Sequence, residues 1–87
     1  MKYKAQFKTE NIQQNAMIKP DGFSKILIRN LSDANITILN NIVLEPKESF
    51  HWNEDPGIEI DDNILIAFTP TSTVKNATIM KVYYKEV

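Results

Sequence analysis

Hydrophobic and polar residues alternate along most of this chain, with a period of two. The pattern is clear where Tyr3, Ala5 and Phe7 alternate with lysine and glutamine, and again in residues 23–30 and 64–68. Successive side chains of a β-strand point to opposite faces, so this period is typical of half-buried strands. No stretch shows the period of a helix. The pattern therefore predicts an all-β fold, a small antiparallel β-sandwich (jelly-roll or Ig-like) of about seven to nine short strands.

Turn residues separate these predicted strands at short and regular intervals. Asn40 and Asn41 lie between two isoleucine-rich runs, and asparagine accepts left-handed backbone angles at modest cost. We therefore predict a two-residue type I′ hairpin at these positions. Pro46 ends the next short run because proline cannot donate to a strand ladder. Residues 58–60 are predicted to form a further short strand, and residues 11–16 a connection.

One face of the strong strands is uniformly apolar and is predicted to form the core between two sheets. It consists of Ile26, Ile28, Ile36, Ile38, Ile64, Ile66 and Phe68. The opposite face is also partly apolar, which is typical of strands covered by something else. On the last strand this second face is either the set that contains Ile79 and Tyr83 or the set of Met80, Val82 and Tyr84.

Two explanations fit the second apolar face equally well. Scattered surface hydrophobic residues are normal, and the start of the chain could cover them. Alternatively, the face is a subunit interface. The interface candidates are Tyr3, Phe7, Leu27, Leu65, Ile79 and Tyr83. We predict one sandwich domain over residues 11–87, preceded by a strand or arm at residues 1–10 that could add to a neighbour's sheet.

The composition excludes several function classes. The chain has 87 residues, a formal charge of −1 and no cysteine. Nucleic-acid binding requires clustered Lys and Arg, and the chain has a single arginine, so no nucleic-acid partner is expected. No apolar run is long enough to span a bilayer, and no secretory signal is visible, so no membrane partner is expected either.

Catalytic and metal-binding patterns are also missing from the sequence. His51 is the only histidine, and only two glycines are present, so we expect no enzymatic activity and no cofactor. The acidic residues 54–62 lack the ligand spacing of an EF-hand loop and are better explained as solvated turns. His51 and Trp52 are recognition candidates, and Trp52 with Tyr83 could stack a sugar. The sequence favours Phe50 and Trp52 facing inward, where large aromatic residues close a small sandwich.

The segments KILIRNLSDANITILNNIVLEPKESFHWN, IEIDDNILIAF and ATIMKVYYKEV resemble the small β-sandwich structural proteins of tailed bacteriophages. The resemblance covers about two-thirds of the chain. One residue departs from the pattern of these phage proteins. Lys47 occupies a position where the pattern favours glycine, which implies a turn that tolerates a side chain. The matching residues are Asn30, Asn40, Leu44, Pro46, Glu48, Ser49, Ile66 and Phe68.

This resemblance implies a non-enzymatic virion protein of the capsid, neck or tail, made in the bacterial cytoplasm. Its expected partners are other copies of itself and other virion proteins, either in a homo-oligomer or on a larger shell. The alternative is a β-sandwich recognition module that binds a glycan or a host-surface protein through Trp52, Tyr83 or Tyr84. A similar turn around the proline also occurs in cupin-like barrels, but the metal-binding histidines of active cupins are missing here.

Overall fold

A computed structural model describes residues 2–87. This part of the chain contains no helix, and eight strands account for its regular structure. The strands are β1 (Tyr3–Ile12), β2 (Ala16–Ile18), β3 (Lys25–Asn30), β4 (Ile36–Ile38), β5 (Ile42–Leu44), β6 (Ser49–Asn53), β7 (Ile64–Phe68) and β8 (Ala77–Glu86).

The strands form two four-stranded antiparallel sheets. Sheet A has the order β1-β8-β3-β6, and sheet B has the order β2-β7-β4-β5. The first strand pairs with the last, the second with the seventh, the third with the sixth and the fourth with the fifth. A long antiparallel ribbon rolled in this way is a jelly roll. The predicted all-β sandwich is confirmed, and its strand order is that of a jelly roll and not of an immunoglobulin domain.

The core between the sheets is dominated by isoleucine. All seven residues predicted for it are buried, and several are completely inaccessible. Each fully buried side chain of this size contributes roughly 1.5–3 kcal/mol relative to exposure. The predicted strand at residues 58–60 is wrong, because this segment is a loop. Its last residue, Ile60, is buried at 2 % exposure, and its N–H donates to the Phe23 carbonyl at 2.9 Å.

The turn between β4 and β5 begins one residue earlier than predicted, and because Ile38 pairs with Ile42, three residues and not two connect the strands. Leu39 and Asn40 are its central residues, with φ of 54° and 71°, and the Asn41 N–H donates to the Ile38 carbonyl at 3.3 Å. Two positive φ angles in succession are the mark of a type I′ turn. Tertiary contact holds leucine in this strained conformation, since its N–H donates to the Leu65 carbonyl at 3.0 Å and its side chain packs on the core.

The turn after β5 also differs from the sequence expectation. Lys47 has a φ of 73°, and the Glu48 N–H donates to the Glu45 carbonyl at 3.0 Å. With Pro46 at the second position, this is a type II turn, whose third position favours glycine. The turn therefore holds a side chain, as expected, but in the positive-φ conformation that favours glycine.

A buried asparagine joins the end of β3 to the loop that follows it and to β5. Asn30 is fully buried, and its amide nitrogen donates to the Ala34 and Leu44 carbonyls at 2.9 and 3.0 Å. Its side-chain oxygen accepts the Ser32 N–H at 2.8 Å. Because every polar atom of this amide has a partner, Asn30 fixes the loop after β3 against β5 without an unpaired group.

The N-terminal segment is not a separate arm in this structure. β1 pairs with β8 of the same chain over its whole length; Met1 lies outside the described residues. β3 accompanies β8 only as far as Val82. Residues 3–6 and 83–86 therefore continue as a two-stranded ribbon, and the molecule is elongated, measuring 48 × 19 × 17 Å.

Candidate functional site

The strand register of sheet A gathers apolar side chains on the face that points away from sheet B. Directly opposed residues of an antiparallel pair share a face. Phe7 lies opposite Val82, and Met80 lies between Thr9 of β1 and Leu27 of β3. We call this surface the outer face of sheet A. Its apolar members are Tyr3, Ala5, Phe7, Leu27, Met80, Val82 and Tyr84.

The outer face is open to solvent. The Phe7 side chain is 68 % exposed, whereas Leu27, Met80 and Val82 are half-buried by one another. Half-buried residues in a contiguous group differ from isolated surface leucines because they form one apolar patch. A shallow depression of about 140 Å³ lies between Leu27, Met80 and Val82, with His51 at its border.

Aromatic side chains close one end of the outer face. The rings of Tyr3 and Tyr84 meet edge to face, with centroids 6.4 Å apart. The Lys25 ammonium lies 5.6 Å from the centre of the Tyr84 ring, within the range of a cation–π interaction. A Cβ atom placed on Gly57 would lie 2.8 Å from the Tyr3 hydroxyl, so the loop after β6 packs closely against this end.

The structure separates the six interface candidates. Tyr3, Phe7 and Leu27 lie together on the outer face of sheet A. Leu65 lies on β7 in sheet B, where it pairs with Met17. Ile79 was a wrong choice: it is completely buried because it pairs with Ile28 on the core side of the sheet.

Tyr83 lies on the same side of β8 as Ile79, not on the outer face. Its ring meets Phe23 edge to face at 6.4 Å, and its hydroxyl lies 3.0 Å from both carboxylate oxygens of Asp21. Burial and the hydrogen bond to Asp21 raise the pKa of Tyr83 to about 12. The Lys81 ammonium is 3.5 Å from the same carboxylate. These contacts hold the turn at residues 19–22 against β8.

The two recognition candidates point in opposite directions. Trp52 pairs with Ile26 and packs against the core, as does Phe50, so the predicted inward orientation of both aromatic residues is confirmed. The indole N–H donates to a Glu54 carboxylate oxygen at 3.0 Å. His51 is exposed on the outer face. The strand alternation therefore does not bring His51 and Trp52 into one site.

Of the two sets predicted as alternatives for β8, Met80, Val82 and Tyr84 are the set on the outer face. The signal that could have decided this was Ala77. A small residue at the start of β8 suits the tightly packed core, which predicts that Ala77 faces inward. Because side chains alternate along a strand, an inward Ala77 also places Ile79 inward and Met80 outward.

The outer edge of β1 has no neighbouring strand within the described residues. The Lys2 carbonyl accepts the Val87 N–H at 3.0 Å, so even-numbered residues of β1 direct their backbone groups toward β8. Odd-numbered residues direct theirs to the open edge, because the two directions alternate in an antiparallel ladder. Ala5, Phe7 and Thr9 thus present N–H and C=O groups at this edge.

Within residues 2–87, no group of three or more histidine or acidic side chains is placed to hold a metal ion. The same part of the chain contains no helix that is long and apolar enough to cross a membrane.

No protein-family model matches the sequence, and no curated protein or solved structure is significantly similar to it. The outer face of sheet A and the open edge of β1 are the two surface features of the described residues that could bind another protein.

Proposed function

We propose that this chain is a non-enzymatic structural protein of a tailed-bacteriophage particle. It acts by multimeric protein contact, and the outer face of sheet A is its contact surface. The observation that carries this proposal is the contiguous apolar group of Phe7, Leu27, Met80 and Val82 on a sheet that its own chain leaves uncovered. Apolar surface of this kind is stabilised by contact with another protein.

The residues that match the phage-protein pattern support the architecture of the domain. Asn30 makes its three side-chain hydrogen bonds inside the fold, and Pro46 and Glu48 form the type II turn that follows β5. Jelly rolls serve as capsid domains, lectins and cupins. Because one fold hosts several functions, the surface and the resemblance carry the proposal, and the topology alone does not.

The geometry favours contact with protein over stacking of a sugar. Trp52 packs against the core and binds Glu54, and the Tyr83 hydroxyl is bound to Asp21. Neither residue offers a free aromatic face beside the other. A protein surface, in contrast, could cover the outer face of sheet A without rearrangement of these side chains.

The test is to look for the chain in purified particles. Phage particles would be prepared on density gradients from a bacterial culture whose genome carries the coding sequence, and labelled with an antibody raised against the recombinant chain. The proposal predicts several copies per particle, at a fixed ratio to the main shell protein by mass spectrometry. Recovery only in the particle-free fractions would contradict it.

A matched pair of variants would then test the contact surface. Val82→Lys introduces a charge into the outer face of sheet A, whereas Val43→Lys introduces the same charge at an exposed position of β5 in sheet B. We expect Val82→Lys to abolish incorporation and Val43→Lys to leave it unchanged. Equal incorporation of both variants would show that the outer face of sheet A is not the contact surface.

A further inference from the structure

We infer that two copies of this chain associate through their β1 edges, in one antiparallel register that places Phe7 of one copy directly opposite Phe7 of the other. This inference deepens the proposed function, on which it rests, by naming a second copy of the chain as the first partner and the β1 edge as the place where it binds. The dimer has two-fold symmetry, and its axis passes between the two phenylalanine side chains, perpendicular to the sheet.

The backbone of β1 is oriented for this pairing. Ala5, Phe7 and Thr9 direct their N–H and C=O groups to the open edge, as the Val87–Lys2 hydrogen bond requires. In the inferred register, Phe7 pairs with Phe7, and Ala5 of each copy pairs with Thr9 of the other. All three are then hydrogen-bonded pairs, so each of these edge groups meets a partner. An unpaired strand edge is otherwise a site of unspecific association.

Charge selects this register among those that keep both outer faces on the same side. It places Lys4 of each copy opposite Glu10 of the other, which gives two attractive cross-strand pairs by symmetry. A shift of two residues in one direction would place Lys4 opposite Lys8. The same shift in the other direction would place the two copies of Lys8 opposite each other. Larger shifts separate the two Phe7 side chains and shorten the ladder.

A second copy would also neutralise an unfavourable charge pair within the monomer. Lys4 lies directly opposite Lys85, and among the described residues neither has a carboxylate within ion-pair distance. Like charges in opposed positions destabilise a strand pair. Glu10 of the second copy would lie opposite Lys4 on the other side of β1, where its carboxylate would offset part of this repulsion.

The dimer would double the surface proposed for virion contact. Because the two-fold axis is perpendicular to the sheet, the two A sheets join into one continuous eight-stranded sheet, and both outer faces lie on the same side. The Phe7 side chains, each 68 % exposed in the monomer, would then meet at the centre of a single apolar surface. Aromatic cross-strand pairs are among the stabilising pairs in sheets.

A charge exchange tests the register directly. The single variants Lys4→Glu and Glu10→Lys each replace two attractive pairs with two repulsive ones, and we expect each to raise the dimer Kd about tenfold or more. The double variant restores the attractive pairs and should restore the Kd. Residues 4 and 10 are about 20 Å apart along one strand, so rescue within a single chain is excluded.

Sedimentation equilibrium over a range of concentrations would measure each Kd, with circular dichroism to confirm the fold. Lys19→Glu is the control, because it makes the same charge change at an exposed residue outside β1 and should leave the Kd unchanged. A native chain that stays monomeric at about 1 mM would overturn the dimer, as would single variants that bind as tightly as the native chain. Either result leaves the particle-labelling test of the proposed function unaffected.

Cysteine cross-linking gives a second and independent measurement. The chain has no cysteine, so Phe7→Cys introduces a single thiol that faces its own copy across the axis. Opposed Cα atoms of a hydrogen-bonded pair are about 5.5 Å apart, which suits a disulfide. We expect Phe7→Cys to form a covalent dimer on mild oxidation and Lys8→Cys to remain monomeric under denaturing conditions. Faster cross-linking at position 8 would overturn the register.

Discussion

Replacement of Asn30 by aspartate should destabilise the fold far more than the small change in the side chain suggests. The carboxylate has nearly the same shape as the amide, so no cavity forms. However, the nitrogen that donates to the Ala34 and Leu44 carbonyls becomes an oxygen that faces two other oxygens. The side chain is 0 % exposed, so water cannot hydrate the new charge.

The expected cost follows from these contacts. Each buried carbonyl left without its donor costs about 1–3 kcal/mol, and removal of a partner from a buried charged group costs about 3–5 kcal/mol in comparable cases. We therefore expect the Asn30→Asp variant to lose about 3–5 kcal/mol at pH 7. A domain of this size has a total stability of roughly 4–13 kcal/mol, so the loss would be a large fraction of the whole.

Urea unfolding followed by fluorescence of Trp52, the only tryptophan, would measure the change. With an m-value of about 1–1.5 kcal/mol/M, the midpoint should fall by roughly 2–5 M. Burial raises the folded-state pKa of the new carboxyl above its unfolded value. The folded state then binds more protons, so the variant should recover part of the loss as the pH falls from 7 to about 5.

The control for this experiment is Asn63→Asp, the same chemical change at an exposed residue, which should move the midpoint by less than about 0.5 M. A shift at Asn30 as small as the shift at Asn63 would refute the reasoning. A large shift that does not respond to pH would show that the two lost hydrogen bonds, and not the buried charge, cause it.

Three further predictions concern the turns at Lys47 and Gly57 and the carboxylate of Asp33. Lys47→Gly should raise stability by about 1 kcal/mol in urea unfolding, because glycine adopts the positive φ of this position without strain. Gly57→Ala should lower stability by at least 1 kcal/mol, since the added Cβ would lie 2.8 Å from the Tyr3 hydroxyl at a φ of 91°, and Tyr3→Phe should recover part of that loss. Asp33 accepts hydrogen bonds from the residue 72–74 loop that hold its pKa well below the usual range. The stabilisation that the Asp33 carboxylate gives the folded state is therefore complete above about pH 4 and falls as the pH drops further. In thermal melts from pH 5 to 2, the melting temperature should fall less in Asp33→Asn than in the native chain.

The isoleucine core could be predicted from the sequence because it depends on a local rule. Residues such as Ile26 and Ile28 are buried on one face by the period of two, whatever the strands around them do. The sheet order could not be read in the same way. It depends on which strands lie next to each other, and short strands of similar composition give no local signal for their partners.

Tertiary contacts explain where the local rules failed. The hairpin after β4 begins at Leu39 because this residue bonds to Leu65 of a neighbouring strand, a contact that turn propensities do not include. Ile79 was assigned outward because β8 is apolar on both faces, so its own pattern does not determine its orientation. The position of Lys47 shows that one unfavourable residue is tolerated when the surrounding hydrogen bonds fix the turn.

The contact surface was only partly visible in the sequence. Tyr3, Phe7 and Leu27 were identified as apolar residues opposite the core, but their proximity depends on the pairing of the first strand with the last. The open edge of β1 could not be predicted, because it requires the order of strands in sheet A. The opposite charges of Lys4 and Glu10 are visible in the sequence, but their pairing between two copies can be predicted only once β1 is known to be an edge strand.

Hydrogen exchange at the β1 edge would show whether two copies of the chain pair through this edge. The amide protons of Ala5, Phe7 and Thr9 point away from β8, so in an isolated chain they exchange at rates close to those of exposed peptides. We expect their exchange to slow as the concentration of the native chain rises, and Lys4→Glu to remove this protection at the same concentration. Fast exchange of all three amides at every concentration of the native chain would contradict the inference that two copies bind each other through this edge.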